Sequence, residues 1–452
     1  MANRRDFLRL LGAGLGGTLL SSCGSSSGTA KVGPGGGSGT TPLPNALHFT
    51  PVLDVANGRV TRGGRNLDLS DLTPGAVMMN DQNQIIFYGT GSGGNLGIHQ
   101  LTMDYGRGRA PSVADSQTLL RQGDTVAERS VDLIYPGDTN SSGSFGVIIG
   151  SDGQTPALIM RNGPMGAFER ILEAMMDLPG GQGFFGGSID TFSLGANDDI
   201  LLVARYSQTD QPASAQGAFL MPGASVDNSQ ILTSSGQPAP QSDGVIDSIG
   251  LVDLGEGGAY VLMVNTSPAN PARRPARAPG ESRCNTAVIY GHVRQAFSRS
   301  RLLTASPVLG ASRAASTGES YLAARVGKDD SAMRVVHVTE EHLVMYFRDQ
   351  VIAETGGLSP SGHVIRSITP GVVNGPAGLC YYQLFTDEGL ELCVSNGVEH
   401  RTLLSRGDKI DGKVVNTFIF GFHPEQVDSQ GRCVIQVEFT DGTMSIVVAF
   451  PA

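Results

Sequence analysis

Short apolar runs alternate with clusters of Asn, Asp, Gly and Ser along the chain, and one arrangement recurs. An Asn or Asp is followed by polar residues and a Gly or Asn, and then by a run of β-branched and aromatic residues, as in residues 80–87. Alternation of this kind is typical of half-buried strands. We take the polar or Gly residue just before each run as the landmark of its copy. The landmarks fall at residues 83, 143, 199, 257, 318, 378 and 431, at intervals of 60, 56, 58, 61, 60 and 53 residues. We therefore predict seven copies of one unit.

A second feature keeps the same phase, namely an apolar strand that ends in a Gly turn. Examples occur at Gly63, Gly123, Gly180, Gly236, Gly356 and Gly407. The fifth copy is an exception, because no clean Gly turn follows Leu302-Leu303. Gly and Asn suit such turns because they accept positive φ with little steric cost.

Each unit offers about four short runs of strand composition and almost nothing helical. In the last unit the runs lie at residues 403–404, 414–420, 433–439 and 445–450. Seven such units predict an all-β fold, a β-propeller of seven four-stranded blades closed into a ring, one blade per unit. An open β-solenoid is the alternative, but its rungs are usually much shorter than this unit.

The N-terminus has a different pattern, which predicts an export signal over residues 1–22. A twin-arginine motif and the apolar residues behind it stand at Arg4, Arg5, Phe7 and Leu8. An apolar stretch follows and leads to Cys23, as in a lipoprotein cleavage box, where the thiol accepts the lipid. A membrane-spanning anchor is the alternative, but residues 10–20 include four glycines and fall well short of the roughly 20 apolar residues that a span requires.

Residues 23–46 are rich in Gly, Ser, Thr and Pro and predict a flexible tether, so the folded body should occupy residues 47–452. The sequence thus predicts a lipoprotein of the bacterial cell envelope, held to the membrane by the lipid on Cys23. Gly24 follows the cysteine where inner-membrane lipoproteins commonly carry Asp, which favours the outer membrane in a diderm host.

Composition restricts the partners. Charged residues make up 16% of the 452 residues, Gly numbers 62, Trp is absent and the formal net charge is -10. An acidic surface repels a phosphate backbone, so no nucleic-acid partner is expected. The lack of Trp argues against the propeller classes that carry Trp at fixed positions, and no cofactor motif is evident.

Four cysteines remain after Cys23, which allows one or two disulfides outside the cytoplasm. Cys380 and Cys393 flank a turn at residues 386–389 and could be bridged across a hairpin. The alternative is that all four are small buried apolar residues.

Three further motifs bear on possible chemistry. His337, Glu340 and His342 are weak metal-ligand candidates, because histidines five apart diverge on a helix and face opposite sides of a strand. Residues 89–94 match GxGxxG but precede another strand, which predicts a hairpin loop. Arg406-Gly407-Asp408 spells an adhesion tripeptide on a Gly-Asp turn of the repeat.

The repeat resembles the bacterial exported proteins of the choice-of-anchor tandem repeat type, which are named for an NxxGxxAF repeat. The resemblance covers most of residues 50–450 and is clearest at residues 80–87 and 428–439, with Gly-Asp turns at residues 123–124 and 407–408. It implies architecture and surface location, because that family has no agreed activity.

Two functions remain open from the sequence. The first is a lipid-anchored binding or scaffold module for a protein or envelope polymer, since regular repeats carry no convergent acid, base or nucleophile. The alternative is a hydrolase or lyase with its site in the central channel, where residues from different blades meet. Three or more titratable residues converging at one channel mouth would favour the enzyme.

Overall fold

The computed structural model describes residues 41–451 except 56–57, 107–109, 153, 180–182, 209–210, 243, 269–284, 304–319, 328–330, 340–341, 370 and 372–377. The regular structure of the described residues is almost all antiparallel strand, arranged as seven four-stranded blades in a ring. The predicted all-β propeller is therefore confirmed.

Each blade is a meander of four consecutive strands, and the first three blades follow in chain order. Blade 1 consists of β3 (Asp71–Met79), β4 (Gln84–Thr90), β5 (Leu96–Asp104) and β6 (Ser112–Arg121). Blade 2 consists of β9 (Leu133–Thr139), β10 (Phe145–Gly150), β11 (Ala157–Arg161) and β12 (Phe168–Glu173). Blade 3 consists of β13 (Gly183–Leu194), β14 (Ile200–Gln208), β15 (Gln211–Met221) and β16 (Gln230–Ser234).

The next three blades have the same order. Blade 4 consists of β17 (Gly244–Leu254), β18 (Ala259–Pro268), β19 (Asn285–His292) and β20 (Arg301–Leu303). Blade 5 consists of β21 (Ser320–Val326), β22 (Ala332–Thr339), β23 (His342–Phe347) and β24 (Gln350–Glu354). Blade 6 consists of β25 (Ile365–Ile368), β26 (Cys380–Thr386), β27 (Leu390–Ser395) and β28 (His400–Ser405).

Blade 7 is built from both ends of the chain. Its strands are β30 (Lys413–Ile419), β31 (Cys433–Phe439), β32 (Met444–Pro451) and β1 (Leu47–Asp54), flanked by two-residue strands β2 (Arg59–Val60) and β29 (Lys409–Ile410). A small hairpin of β7 (Thr125–Val126) and β8 (Arg129–Ser130) joins blades 1 and 2. Single-turn 3-10 helices lie at Ala196–Asp198, Pro222–Ala224, Val226–Asn228, Phe297–Arg299 and Pro424–Gln426.

The N-terminal strand closes the ring. β1 pairs antiparallel with β32 from Leu47 opposite Pro451 to Asp54 opposite Ser445. The phase of the repeat explains this closure, because the sequence unit begins with a strand that belongs to the preceding blade. One unit therefore contributes strands to two blades, and the first strand of the chain completes the last blade.

The apolar core is divided into seven clusters, one at each interface between neighbouring blades. The cluster between blades 7 and 1 includes Leu53, Ile446 and Phe87, all fully buried. The side chain of Gln436 in blade 7 also accepts a hydrogen bond from the Gly75 amide in blade 1, at 3.0 Å. Every described blade thus packs on two neighbours, and no interface is left open.

The recurrent Asn or Asp is explained by the turn that follows the first strand of a blade. The Asn140 Oδ1 accepts the Ser144 amide at 3.0 Å, and the Asp428 Oδ1 accepts the Arg432 amide at 2.9 Å. Side chains of this kind replace main-chain partners within a tight turn. Gly143, the landmark of this turn in blade 2, has φ 86°, so a residue with a Cβ is strained there.

The predicted landmark of the fifth copy is wrong. In blade 5 the equivalent hydrogen bond joins the Gly327 amide to the Ser331 carbonyl at 2.8 Å, between β21 and β22, whereas the predicted landmark at Gly318 lies outside the described residues. The run that follows Gly318 is β21, the first strand of its blade, rather than the second. The error arose because a Gly also precedes the run at residues 321–326, so this first strand matched the pattern expected of a second strand.

The Gly-Asp element is a turn between blades. Gly407 has φ 93°, and the Asp408 Oδ2 accepts the Ser405 amide at 2.7 Å. Gly123 and Asp124 repeat the arrangement after β6. The carboxylate of the Arg-Gly-Asp tripeptide thus accepts a main-chain hydrogen bond within its own turn. The GxGxxG segment forms the predicted hairpin loop between β4 and β5.

Contacts with the ring begin before β1, inside the predicted tether. The Asn396 Nδ2 donates to the carbonyl of Thr41 at 2.9 Å, and Leu43 packs in the cluster between blades 6 and 7. Residues 41–46 therefore lie against blade 6, and the tether predicted for residues 23–46 is shortened at its C-terminal end.

Deleting residues 1–54 should abolish the sharp thermal transition of the protein. The deletion removes β1 with the fully buried Val52 and Leu53, and burial of each such side chain contributes about 1.5–3 kcal/mol out of a typical total of about 5–15. Deleting residues 1–40 is the matched control, because every described contact is kept, and it should melt as the full chain does. Equal melting of the two deletions in calorimetry would show that β1 does not close the ring.

Candidate functional site

A cavity of about 250 Å³ crosses one end of the central channel. Its walls come from the first strands of blades 2, 3, 4 and 5 and from the loop after β30 in blade 7. The polar lining consists of Asp138, Asp190, Thr191, Ser193, Asp253, Arg325 and His423, and the apolar lining includes Tyr135, Ile189, Leu251 and Phe422. The cavity lies next to the turns that follow the first strands, at what we call the Asn-turn end of the ring.

A repeated contact between blades forms the floor of this cavity. The Asp138 Oδ2 of blade 2 accepts the Leu194 amide of blade 3 at 2.8 Å. The Asp253 Oδ2 of blade 4 accepts the Val326 amide of blade 5 at 2.7 Å. In each case the acceptor side chain stands two residues before the turn of its own blade. We call this arrangement the inter-blade latch.

Ser193 provides the latch between blades 3 and 4 and also connects the two carboxylates. Its Oγ accepts the Leu254 amide at 3.1 Å and lies 3.5 Å from the Asp253 Oδ1. Ser193 also hydrogen-bonds Asp138, which opposes the rise of the pKa of that carboxyl. Asp138, Ser193 and Asp253 therefore form one buried polar row across three blades.

His423 reaches across the channel from blade 7 to blade 2. Its Nε2 donates to the carbonyl of Gly137 at 2.8 Å, and its Nδ1 accepts the Glu425 amide at 3.3 Å. Because a carbonyl only accepts, the hydrogen lies on Nε2 and the ring is neutral. Burial lowers the pKa of His423 to about 4, which agrees with this state.

Burial has the opposite effect on the carboxyl groups. It raises the pKa of Asp253 to about 6, against the opposing charge of Arg325. It also raises the pKa of Asp138, against the amides of Leu194 and Thr139. Both shifts have the same cause, since a low-dielectric site disfavours the ionised acid.

Titratable groups thus converge at one channel mouth, which is the arrangement that favours the enzyme among the two hypotheses. The same geometry also has a structural explanation, because the acceptor atoms of Asp138 and Asp253 face main-chain amides of neighbouring blades. In the described part of the chain, no group of three or more His, Cys, Asp or Glu side chains is placed to hold a metal ion.

Sequence reasoning missed Asp138, Asp253, Arg325 and His423. Asp138, Asp253 and Arg325 share a position in the repeat. Each stands two residues before the first residue of its turn, which is Asn140, Gly255 or Gly327. That position is polar in blades 2 to 5 although it lies on a buried strand. His423 follows no such rule, since the loop after β30 is longer than the others.

The residues chosen from the sequence lie elsewhere. Those of the export signal and the lipid site, Arg4, Arg5, Phe7, Leu8 and Cys23, fall outside the described residues, as do Glu340 and the side chain of His337. The His342 Nε2 lies 3.8 Å from the Glu354 Oε2 on the outer strand of blade 5, and neither residue lines the channel cavity. No described contact brings the metal candidates together.

Cys380 and Cys393 are free and buried, so the disulfide considered for them is not formed. In the register of β26 and β27, Cys380 faces Ser395 and Cys393 faces Tyr382. The two thiols are thus diagonal neighbours, for which Cα atoms are roughly 7–8 Å apart, beyond the usual disulfide span. Cys433 is also free and buried, and Cys284 lies outside the described residues.

No family model matches the chain, and no curated protein matches it. Among solved structures it is similar to the β-propeller domain of the Trilobed protease from Pyrococcus furiosus, at 10% identity and TM-score 0.46, over 84% of this chain and 94% of that one. It is also similar to Pyrococcus horikoshii acylaminoacyl peptidase, at 10% identity and TM-score 0.44, over 83% of this chain and 52% of that one. A third is the polysaccharide lyase Uly1, at 7% identity and TM-score 0.41, over 90% and 99%.

The chain spans about half the length of the acylaminoacyl peptidase that it matches. At such low identity these likenesses concern the propeller fold alone. None of the helices in the described residues is long and apolar enough to cross a bilayer.

Replacing Asp253 with Asn should stabilise the protein progressively as pH rises from about 4 to about 6. In the wild type the folded pKa of Asp253 exceeds the unfolded value, so the native state binds more protons in this window and stability falls with rising pH. The Asn side chain does not ionise and has no such loss of stability, so at pH 7 the gain should be about 3 kcal/mol. Urea unfolding at several pH values measures it.

Asp253→Ala is the matched control for the latch. It leaves the buried Val326 amide without its acceptor, which costs about 1–3 kcal/mol, and it should destabilise at every pH. A pH-independent difference between Asp253→Asn and the wild type would contradict the assigned burial of a charge.

Proposed function

We propose that the protein is an exported, lipid-anchored binding module whose channel cavity holds a ligand and whose lipid on Cys23 keeps it at the membrane. The observation that carries the proposal is the cavity itself, which is walled by five blades and has its polar groups fixed by inter-blade latches. Preformed concave sites with a few oriented polar groups are the usual form of ligand sites.

The path of the N-terminus supports the same arrangement. Thr41 contacts Asn396 in the loop between the third and fourth strands of blade 6, and its hydroxyl lies close to Gly378 in the turn before the second strand. In an antiparallel meander these two loops lie at the same end of the blade. The chain therefore meets the ring at the Asn-turn end, where the cavity opens, and a lipid on Cys23 would hold that end towards the membrane.

The twin-arginine residues and the lack of an Asp after Cys23 support the remaining parts of the proposal, namely export of the folded protein and retention at the outer membrane of a diderm host. The partner would be an envelope polymer or protein with a group small enough for the cavity. The formal charge of -10 disfavours nucleic acid.

Cys23→Ala should move the protein from the membrane to the soluble fraction and remove the acyl mass from its N-terminus. Arg4→Lys combined with Arg5→Lys should block export, although charge is kept, and Arg9→Lys is the matched control that should export normally. Fractionation and intact-mass spectrometry measure both effects. A soluble wild-type protein without acyl mass would refute the anchor.

A hydrolase or lyase is the second candidate, favoured by two carboxyl groups of raised pKa beside His423 in one cavity. Asp253→Asn discriminates the two functions, because the Asn carbonyl can still accept the Val326 amide while the acid is lost. A binding module should still bind its ligand in this variant and consume none. Ligand turnover by the wild type that falls at least a hundredfold in this variant would favour the enzyme.

A further inference from the structure

We propose that the channel cavity binds a small organic carboxylate that carries hydroxyl groups, with the guanidinium of Arg325 as its anchor. The inference rests on the proposed binding function and specifies its ligand. The observation behind it is that blade 5 has no inter-blade latch.

Arg325 occupies the position that accepts a neighbouring amide in blades 2, 3 and 4. Asp138, Ser193 and Asp253 stand two residues before their turns and each accepts a main-chain hydrogen bond from the next blade. A guanidinium has donors and no acceptor, so Arg325 cannot form a latch. Its presence at this position in blade 5 therefore needs another explanation.

The donors of Arg325 are almost unused. Within the described residues it makes one hydrogen bond, from Nη1 to the carbonyl of Ala324 at 3.5 Å, and no ion pair. Its Nε is buried and has no hydrogen-bond partner there. Buried polar atoms are nearly always satisfied, so these donors need an acceptor supplied from within the cavity.

The neighbouring carboxylates cannot supply that acceptor directly. Asp138 and Asp253 are only 4% and 3% exposed, and each points an oxygen at a main-chain amide. They affect Arg325 through charge alone, since its charge opposes the rise of the pKa of both. The Asp190 Oδ2 is also engaged, by the Gln216 Nε2 at 2.7 Å. Arg325 is thus the charged group most open to a ligand.

The chemistry of the ligand follows from the shape of the guanidinium and of the cavity. A planar fork of donors binds a carboxylate through two parallel hydrogen bonds. A volume of about 250 Å³ lies just below the range of drug-sized sites, and suits one sugar-sized molecule. Thr191 and Asp190 can pair with hydroxyl groups, while Tyr135 and Phe422 offer apolar walls.

Binding should depend on pH because other charges face Arg325. These are Asp138 on β9, Asp190 on β13 and Asp253 on β17, with neutral His423 from blade 7. An entering anion disfavours ionisation of the buried carboxyl groups, so it should be accompanied by proton uptake. Affinity should therefore rise as pH falls from 7.5 towards 5.5.

The experiment is calorimetric titration of the purified full chain with glucuronate, using glucose, acetate and inorganic phosphate as comparison probes. Glucuronate should bind, and glucose and acetate should bind at least tenfold more weakly, because each lacks one of the two recognised features. Titration in two buffers of different ionisation enthalpy should reveal proton uptake. Phosphate that binds as tightly as glucuronate would overturn the assignment to a carboxylate.

Variants test the anchor itself. Arg325→Gln should weaken glucuronate binding at least tenfold. Arg325→Lys should weaken it less, because Lys keeps the positive charge although it lacks the planar fork of donors. Arg170→Gln, on the outer strand of blade 2, is the control and should bind as the wild type does. Unchanged binding by Arg325→Gln, or wild-type affinity that does not rise at pH 5.5, would refute the proposal.

If Arg325→Gln does not fold, Arg325→Lys and the wild-type pH series decide the matter. Failure of every probe to bind would overturn the ligand assignment while leaving membrane anchoring through Cys23 to be decided by fractionation. The two parts can therefore fail separately.

Discussion

The structure depends on each blade burying both of its faces against neighbours. A four-stranded sheet alone has two apolar faces in water, and the seven inter-blade clusters cover all fourteen of them only because the ring is closed. Apolar burial has no direction, however, and would tolerate blades that slide past one another. The inter-blade latches supply direction, because Asp138 or Asp253 can reach its partner amide in one register only.

The latches have an electrostatic consequence. A Ser in the same position, as at Ser193, accepts an amide without burying a charge, whereas Asp at 138 and 253 raises the local negative potential as the carboxyl groups ionise. Arg325 offsets that potential without contacting either carboxylate. The inter-blade latches of blades 2, 3 and 4 stabilise the ring. Blade 5 carries Arg325 instead of a latch, and a cavity lined by charged groups remains beside it.

The sequence predicted the fold well because its landmarks are turn residues with a local physical role. Asn140 and Gly143 are required by one tight turn, so the repeat is visible without knowledge of the rest of the chain. The fifth landmark failed because the run after Gly318 is β21, a first strand with the composition expected of a second strand. The cavity could not be predicted in the same way, since Asp138 and Arg325 become neighbours only when distant blades close the ring. The disulfide considered for Cys380 and Cys393 is not formed because Cys380 lies opposite Ser395, two residues beyond Cys393. Composition does not encode this register.

The cavity consequently exists only in the closed ring. No single blade forms the site, because its walls come from blades 2 to 5 and from the blade 7 loop that carries His423. Blade 7 is complete only when β1 pairs with β32, and β1 follows directly on the segment at Thr41 that meets the ring at the Asn-turn end. Residues 41–54 therefore both complete the last blade and lie at the end where the cavity opens. A change in the pairing of β1 would alter blade 7 and, through its loop at His423, the wall of the cavity.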